Sequence, residues 1–358
     1  MSLYVRIKKT LGDFTLDAEF EAENEIMALL GASGCGKSMT LKCVAGVERP
    51  DEGLIVADGV ALFDSKRGIN VPPHKRRLGL LFQNYALFPN MTVERNIMSV
   101  LLTRCGGGEA RERFRRLAQK FYIGGLENHY PANLSGGQQQ RAALARIMAS
   151  EPSLIMLDEP LSALDSYLRW QLEGELARIL GDFSGTTLFV SHNRDEVHRL
   201  CDRVCVIDDG KFERARTIPD LFESPDTLAS AILSGCKNYS RAERAGERRV
   251  RAVDWNVDLV CGPLERDITH IGVRAHYVRI SSERGENSFP CRVIRVTEDV
   301  FSTIINVRPV ASDSDHDFSR IRAEMTKDQE PQIREGDVVT VKINPADILP
   351  LVRSNPRR

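Results

Sequence analysis

The 358-residue chain has no run of eighteen or more apolar residues, so no segment reads as a helix able to span a bilayer by itself. Its N-terminal MSLYVRIKKT lacks the apolar core of a secretory signal. Eight cysteines are scattered without a single C-x-x-C pair, and with no export signal they are expected to be reduced thiols in a cytosolic protein. A formal net charge of −1 gives no electrostatic reason for bulk nucleic-acid binding, so no nucleic-acid partner is expected. No repeat of solenoid period is present either. What remains is an ordinary globular composition, 42% hydrophobic and 28% charged, at a length that suits two domains.

The first 235 residues alternate short apolar runs with helical patterns. EIMALLG, LIVADGVAL, LGLLFQ, SLIMLDEP, TTLFVSH and VCVIDDG read as strands, several of them apolar throughout. Such strands between helices predict a mostly parallel sheet covered on both faces. YVRIKKTLGDFTLDAEF alternates around a short LGD turn, which predicts a hairpin at the sheet edge. MTVERNIMSVLL and EARERFRRLAQKFY read as helices split by the loop CGGG. The polar, basic stretch 236–250 reads as a linker. Residues 251–358 then carry short strand-like segments with little helix, which predicts a small β-barrel or sandwich.

GASGCGKS, Gly31 to Ser38, fits G-x-x-x-x-G-K-[ST] and lies between an apolar strand and a helical run. The glycines let the backbone wrap phosphates, with the amides of Ser33, Gly34, Cys35, Gly36, Lys37 and Ser38 able to point inward. Lys37 would reach the β/γ oxygens and Ser38 would bind Mg²⁺. SLIMLDEP delivers Asp158 to the carboxyl end of a strand, where ligands of open α/β sheets sit. Asp158 would hold Mg²⁺ through water, and Glu159 would polarise the attacking water.

A second anion cradle, Leu134 to Gln138 in LSGGQ, then opens a helix. On one ATP in one chain it would require the intervening helical segment to fold back. The alternative is that one copy closes its LSGGQ on the ATP of a second copy, related by a two-fold axis.

GASGCGKS, LSGGQQQR, LIMLDEP and SALD, in this order, resemble the ATP-binding cassette ATPases over residues 1 to about 235. The resemblance implies a P-loop NTPase cassette, with a RecA-like core, an antiparallel β hairpin and a helical subdomain. It implies ATP and Mg²⁺ as cofactors and the trans homodimer, so that Ser135, Gly136, Gly137 and Gln138 serve the partner's nucleotide. Gln83 matches the Q-loop glutamine that approaches Mg²⁺ and the water, His192 the switch histidine at the γ-phosphate, and Asp165 the D-loop at the dimer seam. The segment after Gln83, NYALFPNMTV, would form part of the groove for a membrane subunit's coupling helix. Phe14 is the candidate for stacking on adenine, with a place in the hairpin core as its alternative. Two departures occur: Asn193 stands where many members have an acid, and Met39, beside the phosphate loop, where threonine is frequent. Cys35, at a helix N-terminus, is either a thiol of lowered pKa open to alkylation or a small residue that fits.

Three classes compete: a transporter ATPase, a non-transport cassette acting on DNA or ribosomes, and a binding module without turnover. Only about a hundred residues separate the two phosphate motifs, only one cassette is present, and both Glu159 and His192 are in place. These features favour a separate importer ATPase, peripheral on the inner face of the cell membrane. Its expected partners are permease subunits and an extracytoplasmic binding protein. The C-terminal ITHIGVRAHYVRI and CRVIRVTEDVFSTIINVRP resemble the OB-like (TOBE-like) domain that follows such cassettes. That gives expected domains of 1–235, 236–250 as linker and 251–358. The compact N-terminal hairpin and GVALFDSKRGINVPPHKRRLGLLFQNYALFP resemble molybdate-importer ATPases, with sulfate, polyamine, iron and sugar importers as alternatives.

Overall fold

The computed structural model describes residues 1–162, 166–281, 285–312, 316–327 and 333–353. They divide into two compact units, 1–218 and 219–358. The first unit opens with β1 (Ser2–Leu11) and β2 (Phe14–Glu23), paired antiparallel about a turn led by Gly12 at φ 57°. Then come β3 (Ile26–Gly31), α1 (Lys37–Ala45), β4 (Glu52–Ala57), β5 (Val60–Asp64), β6 (Ile69–Asn70) and β7 (Leu78–Leu81). A helical block follows: α2 (Val93–Leu101), α3 (Gly107–Lys120) and α4 (Gly136–Ala149). The chain returns to the sheet with β8 (Leu154–Asp158), α5 (Ser166–Gly181), β9 (Thr186–Ser191), α6 (Arg194–Leu200), β10 (Arg203–Asp208), β11 (Lys211–Phe212) and β12 (Arg216–Thr217).

The sheet runs β6-β5-β4-β1-β2-β11-β10-β3-β9-β8-β7, with β12 beside β10. Strands β10, β3, β9, β8 and β7 are mutually parallel. Two expectations are corrected here. LIVADGVAL is not one strand but β4 and β5, antiparallel about Asp58 and Gly59, both at positive φ. The D-G pair is a strong hairpin signal that the apolar run concealed. Because β4 pairs with β1, the N-terminal hairpin lies inside the sheet rather than at its edge.

Alternate residues of the central strands serve two different cores. Leu154 and Met156 of β8 and Leu188 and Val190 of β9 pack with Leu41, Cys43 and Val44 of α1. Ile155, Leu157 and Phe189 pack instead with α2, α3 and Ala142–Ala145 of α4. Since successive strand side chains point to opposite faces, α1 and α4 cover opposite faces of the sheet.

The second unit carries two short helices, α7 (Ile218–Glu223, which spans the division) and α8 (Leu228–Leu233), and two five-stranded sheets. One sheet holds β13 (Asn238–Arg244), β14 (Arg249–Ala252), β15 (Val257–Val260), β16 (His270–Val273) and β22 (Leu349–Leu351). The other is antiparallel, in the order β17 (Val278–Ile280), β21 (Val338–Ile343), β18 (Ser288–Glu298), β19 (Ser302–Pro309), β20 (Ile321–Thr326). It curls until β17 lies near β20, a near-barrel of OB-like form. The stretch expected as a linker, 236–250, instead holds β13 and the start of β14. The buried positions of β13 are Asn238, Ser240 and Ala242, polar or small residues that give no apolar alternation. Each polar one is satisfied: Asn238 bonds the backbone of Arg322, and Ser240 Oγ bonds Arg241 O and Asp254 N.

Candidate functional site

The phosphate loop joins β3 to α1 at the carboxyl end of the parallel strands. Helix α1 follows the cap residue Gly36, φ 106°, with no side chain capping its first turn, so the amides there are free to meet an anion. A Cβ on Gly36 would come within 2.7 Å of Leu16 Cδ1 and 3.2 Å of the Phe14 ring, so both conformation and space demand glycine. Lys37, 4% exposed, donates from Nζ to the carbonyls of Gly31 and Ala32, each at 2.8 Å. Ser33 and Gly34 are exposed on the loop. Met39 is half-buried against the α1-side core, as is Phe14. Phe14 thus packs partly into the hairpin core while its ring lies beside the phosphate loop.

Of the two readings of Cys35, burial favours the small residue that fits over the thiol of lowered pKa. Its thiol is 7% exposed, and burial pushes its pKa up against the opposing charge of Lys37. Desolvation of a thiolate outweighs the helix terminus here.

Ser38 Oγ donates to Asp158 Oδ1 at 2.8 Å. Asp158 is 7% exposed; burial raises its carboxyl pKa, the Ser38 bond opposes this, and the charge of Glu159 adds to it. A buried carboxylate beside a hydroxyl is an all-oxygen donor pair of the sort Mg²⁺ takes with substrate phosphates. The uncapped amides, Lys37 and this pair therefore fit a magnesium nucleotide.

Glu159 sits at φ 47°, a left-handed conformation uncommon for a non-glycine residue. Its amide donates to Val190 O at 3.1 Å, and its Oε2 lies 3.2 Å from His192 Nδ1. β8 and β9 are adjacent and parallel, with Asp158 opposite Val190, so residues just past both strand ends meet. Gln83, past β7, donates from Nε2 to Ser162 Oγ at 3.5 Å, and Ser162 Oγ donates to Glu159 O at 2.9 Å. Asp165 lies outside the described residues.

The LSGGQ segment builds a reciprocal cap on α4. Gln138 N–H donates to Ser135 Oγ at 3.3 Å, and Ser135 N–H donates to Gln138 Oε1 at 2.9 Å. Gly136 opens the helix, and a Cβ on Gly137 would lie 2.7 Å from Leu172 Cδ1 of α5. Overpacking of that kind costs about 1–3 kcal/mol. At the other end of α4, Ile147 packs against Gly79 of β7.

Several supporting residues carried no periodic or motif signal. Buried Arg76 donates to the carbonyls of Cys43, Val44 and Val71 and to Asn70 Oδ1, closing the C-terminus of α1. Fully buried Asn96 bonds the backbone of Phe88, Met91 and Thr92 and holds the loop after Gln83. Asn193 caps α6 through Asp195 N–H and donates to Glu196 Oε1 at 3.3 Å. An aspartate could cap the helix equally but could not make that second bond.

The ABC transporter family model matches residues 16–162. A spermidine/putrescine import ATP-binding protein of Rubrobacter xylanophilus is 34% identical over 353 residues, covering 94% of this chain and 89% of that protein. The chain belongs to the ABC transporter ATPases. A sulfate/thiosulfate import ATP-binding protein of Chromobacterium violaceum is 41% identical over 63% of this chain and 60% of its own length. The molybdenum import ATP-binding protein of Rhizobium johnstonii is 38% identical over 66% of this chain and 67% of that one. Among solved structures, the dimeric cassette MJ0796 in a post-hydrolysis state bound to ADP and Pi aligns at TM-score 0.52 and 27% identity, covering 61% of this chain and 99% of that one. Its fold and that of residues in the first unit of this ABC ATPase are thus shared. No helix among the described residues is long and apolar enough to cross a membrane.

Proposed function

We propose that this ABC ATPase is the ATP-hydrolysing subunit of an importer, working as a homodimer that closes on two Mg²⁺-ATP and reopens on hydrolysis. The observation that carries the reading is the placement of α1 and α4 on opposite faces of one sheet. Ile147 packs at β7, and the start of α4 lies about 16 Å further along the helix axis at ~1.5 Å per residue. A second copy related by a two-fold axis supplies LSGGQ to the open side of the nucleotide more simply than the same chain can.

In this reading the α1 amides and Lys37 hold the β- and γ-phosphates, and Ser38 and Asp158 hold the metal with Gln83 approaching. Bound magnesium supplies charge neutralisation at the γ-phosphate. Glu159 takes a proton from the attacking water, and His192 orients Glu159 and meets the γ-phosphate. Phe14 faces adenine. Ser135, Gly136, Gly137 and Gln138 of the second copy, with Asp165 at the seam, complete the charge stabilisation that phosphoryl transfer requires. The loop held by Asn96 receives the coupling helix of a permease subunit, which fixes the protein to the inner face of the membrane, with an extracytoplasmic binding protein delivering cargo. Residues of the second unit support the dimer.

The cargo is an oxyanion of the molybdate or tungstate type, supported by the compact hairpin and the 59–89 segment. Relatives divide among sulfate, spermidine/putrescine and molybdate importers. The polyamine relative spans most of this chain, which makes polyamine import the second reading. Cells lacking the gene, grown with scarce molybdate, should lose molybdenum or tungsten while sulfur and polyamine contents stay unchanged. Normal molybdenum with depleted polyamine would assign the second reading instead.

A further inference from the structure

The OB-like sheet of the second unit carries a cavity of about 420 Å³ that the ATPase reading leaves unused. Lys237, Arg295, Arg320 and Arg322 line it with Asn238, Ile294 and Asn306; among the described residues no carboxylate lines it, and Glu324 lies 3.8 Å from Arg322 beside it. In a chain of net charge −1, four cations around one hollow form a local field that favours an anion.

The sheet builds this arrangement deliberately. Arg295 lies opposite Asn306 of β19, and Asn306 lies opposite Arg322 of β20. Directly opposed residues share a face, so the three form one row across three strands. Two strand spacings place the outer arginine backbones about 10 Å apart. A register shift between Val293 and Arg295 makes Ile294 the extra residue of a bulge, and this turns Arg295 onto the face of Asn306. Without the bulge, Ile294 would occupy that row. Arg322 is fixed from below: Asn238, 1% exposed, donates to Arg322 O at 2.9 Å and accepts from Arg322 N–H at 2.7 Å. The guanidinium of Arg322 has a loose partner in Glu324, at 3.8 Å, which leaves its remaining N–H groups able to turn toward a guest.

Guanidinium groups fork onto phosphoryl oxygens in bidentate pairs. The volume leaves room for more than a bare oxyanion. A water takes about 30 Å³ of liquid, a five-atom oxyanion a small multiple of that, and small organic ligands occupy pockets of about 300–1,000 Å³. We infer that this cavity is a binding site for an organic phosphate, with Arg295 and Arg322 holding its phosphoryl groups. The assignment rests on the second unit alone and is independent of the import reading.

The test uses the full chain saturated with ADP, so that the phosphate loop is filled, titrated by calorimetry with fructose 1,6-bisphosphate, inorganic phosphate, sulfate and molybdate. One bisphosphate per chain is expected, weakened about tenfold or more by Arg295→Gln and by Arg322→Gln, as for loss of a charge-assisted bond. Arg292→Gln, on the same sheet but outside the cavity, should leave it unchanged. Using two separate variants guards against one of them failing to fold. Absence of bisphosphate binding, or binding indifferent to both variants, would overturn the assignment. Sulfate or molybdate binding as tightly as the bisphosphate, and lost in the same variants, would overturn the organic ligand and leave a bare-oxyanion site.

Discussion

His192 Nδ1 lies 3.2 Å from Glu159 Oε2, joining the ends of two adjacent parallel strands. Glu159 holds φ 47° to make the contact, a conformation that costs about 1–3 kcal/mol and persists where surroundings over-determine it. Its amide bond to Val190 O and the Ser162 bond to its carbonyl are two such surroundings.

Glu159→Gln keeps the shape and an oxygen facing His192 but cannot take a proton. ATP turnover should fall about 10²–10⁴-fold, with nucleotide affinity little changed. Light scattering of this variant with ATP and Mg²⁺ should report the mass of two chains. Turnover near that of the parent would remove Glu159 from the role of base.

Asp158→Asn should separate stability from function. The folded state holds the Asp158 proton more tightly than the unfolded chain, because burial raises its pKa above the ordinary 3.8. Its ionisation therefore subtracts stability progressively as pH rises from that value through the folded pKa. Asparagine removes the charge and still accepts from Ser38. At neutral pH, without metal or nucleotide, the melting temperature should rise, while Mg²⁺-dependent hydrolysis should drop by about 10²-fold or more. A melting temperature lowered by the substitution would contradict the argument.

Asn193→Asp would set a second carboxylate against Glu196, whose own pKa is already raised by burial, with the Ser191 bond opposing. Losing the 3.3 Å bond and adding like charge should cost about 1 kcal/mol near pH 7.5. The penalty should shrink as pH falls and the carboxyls protonate, which melting curves across pH would reveal. A variant equal to the parent at pH 7.5 would show that the Asn193–Glu196 bond contributes nothing.

Arg76→Met takes a donor from the carbonyls of Cys43, Val44 and Val71, of which Cys43 O keeps the Gly46 N–H at 3.1 Å. Denaturant unfolding should show a loss of about 2–4 kcal/mol. Because Arg76 closes α1, ATP affinity should weaken as well; unchanged stability would mean that water replaces the guanidinium.

Cys35 should resist iodoacetamide at pH 7.5 in the folded chain, since burial pushes its thiol up, whereas half-buried Cys105 should react first. Peptide mapping by mass spectrometry reads the order. Preferential labelling of Cys35 would restore the low-pKa expectation.

Strands β3, β8, β9 and β10 were legible because parallel strands buried on both faces must be apolar throughout. The phosphate loop and LSGGQ were legible because glycine, serine and lysine at fixed spacing leave a trace wherever backbone must wrap an anion. β13 was not, because its inward residues are Asn238, Ser240 and Ala242, whose burial depends on partners far along the chain. The two-strand nature of LIVADGVAL was visible in its D-G pair but masked by the apolar residues around it.

Local chemistry thus set the identities of Lys37, Ser38, Asp158 and Glu159 and the family to which they point. Long-range packing alone decided that Ser38 meets Asp158 and that Glu159 meets His192. It also decided that the Cys35 thiol is buried with its pKa pushed up, and that Arg295 and Arg322 share a row. These outcomes depend on strand order, register and desolvation, quantities that arise between segments and are carried by none of them alone.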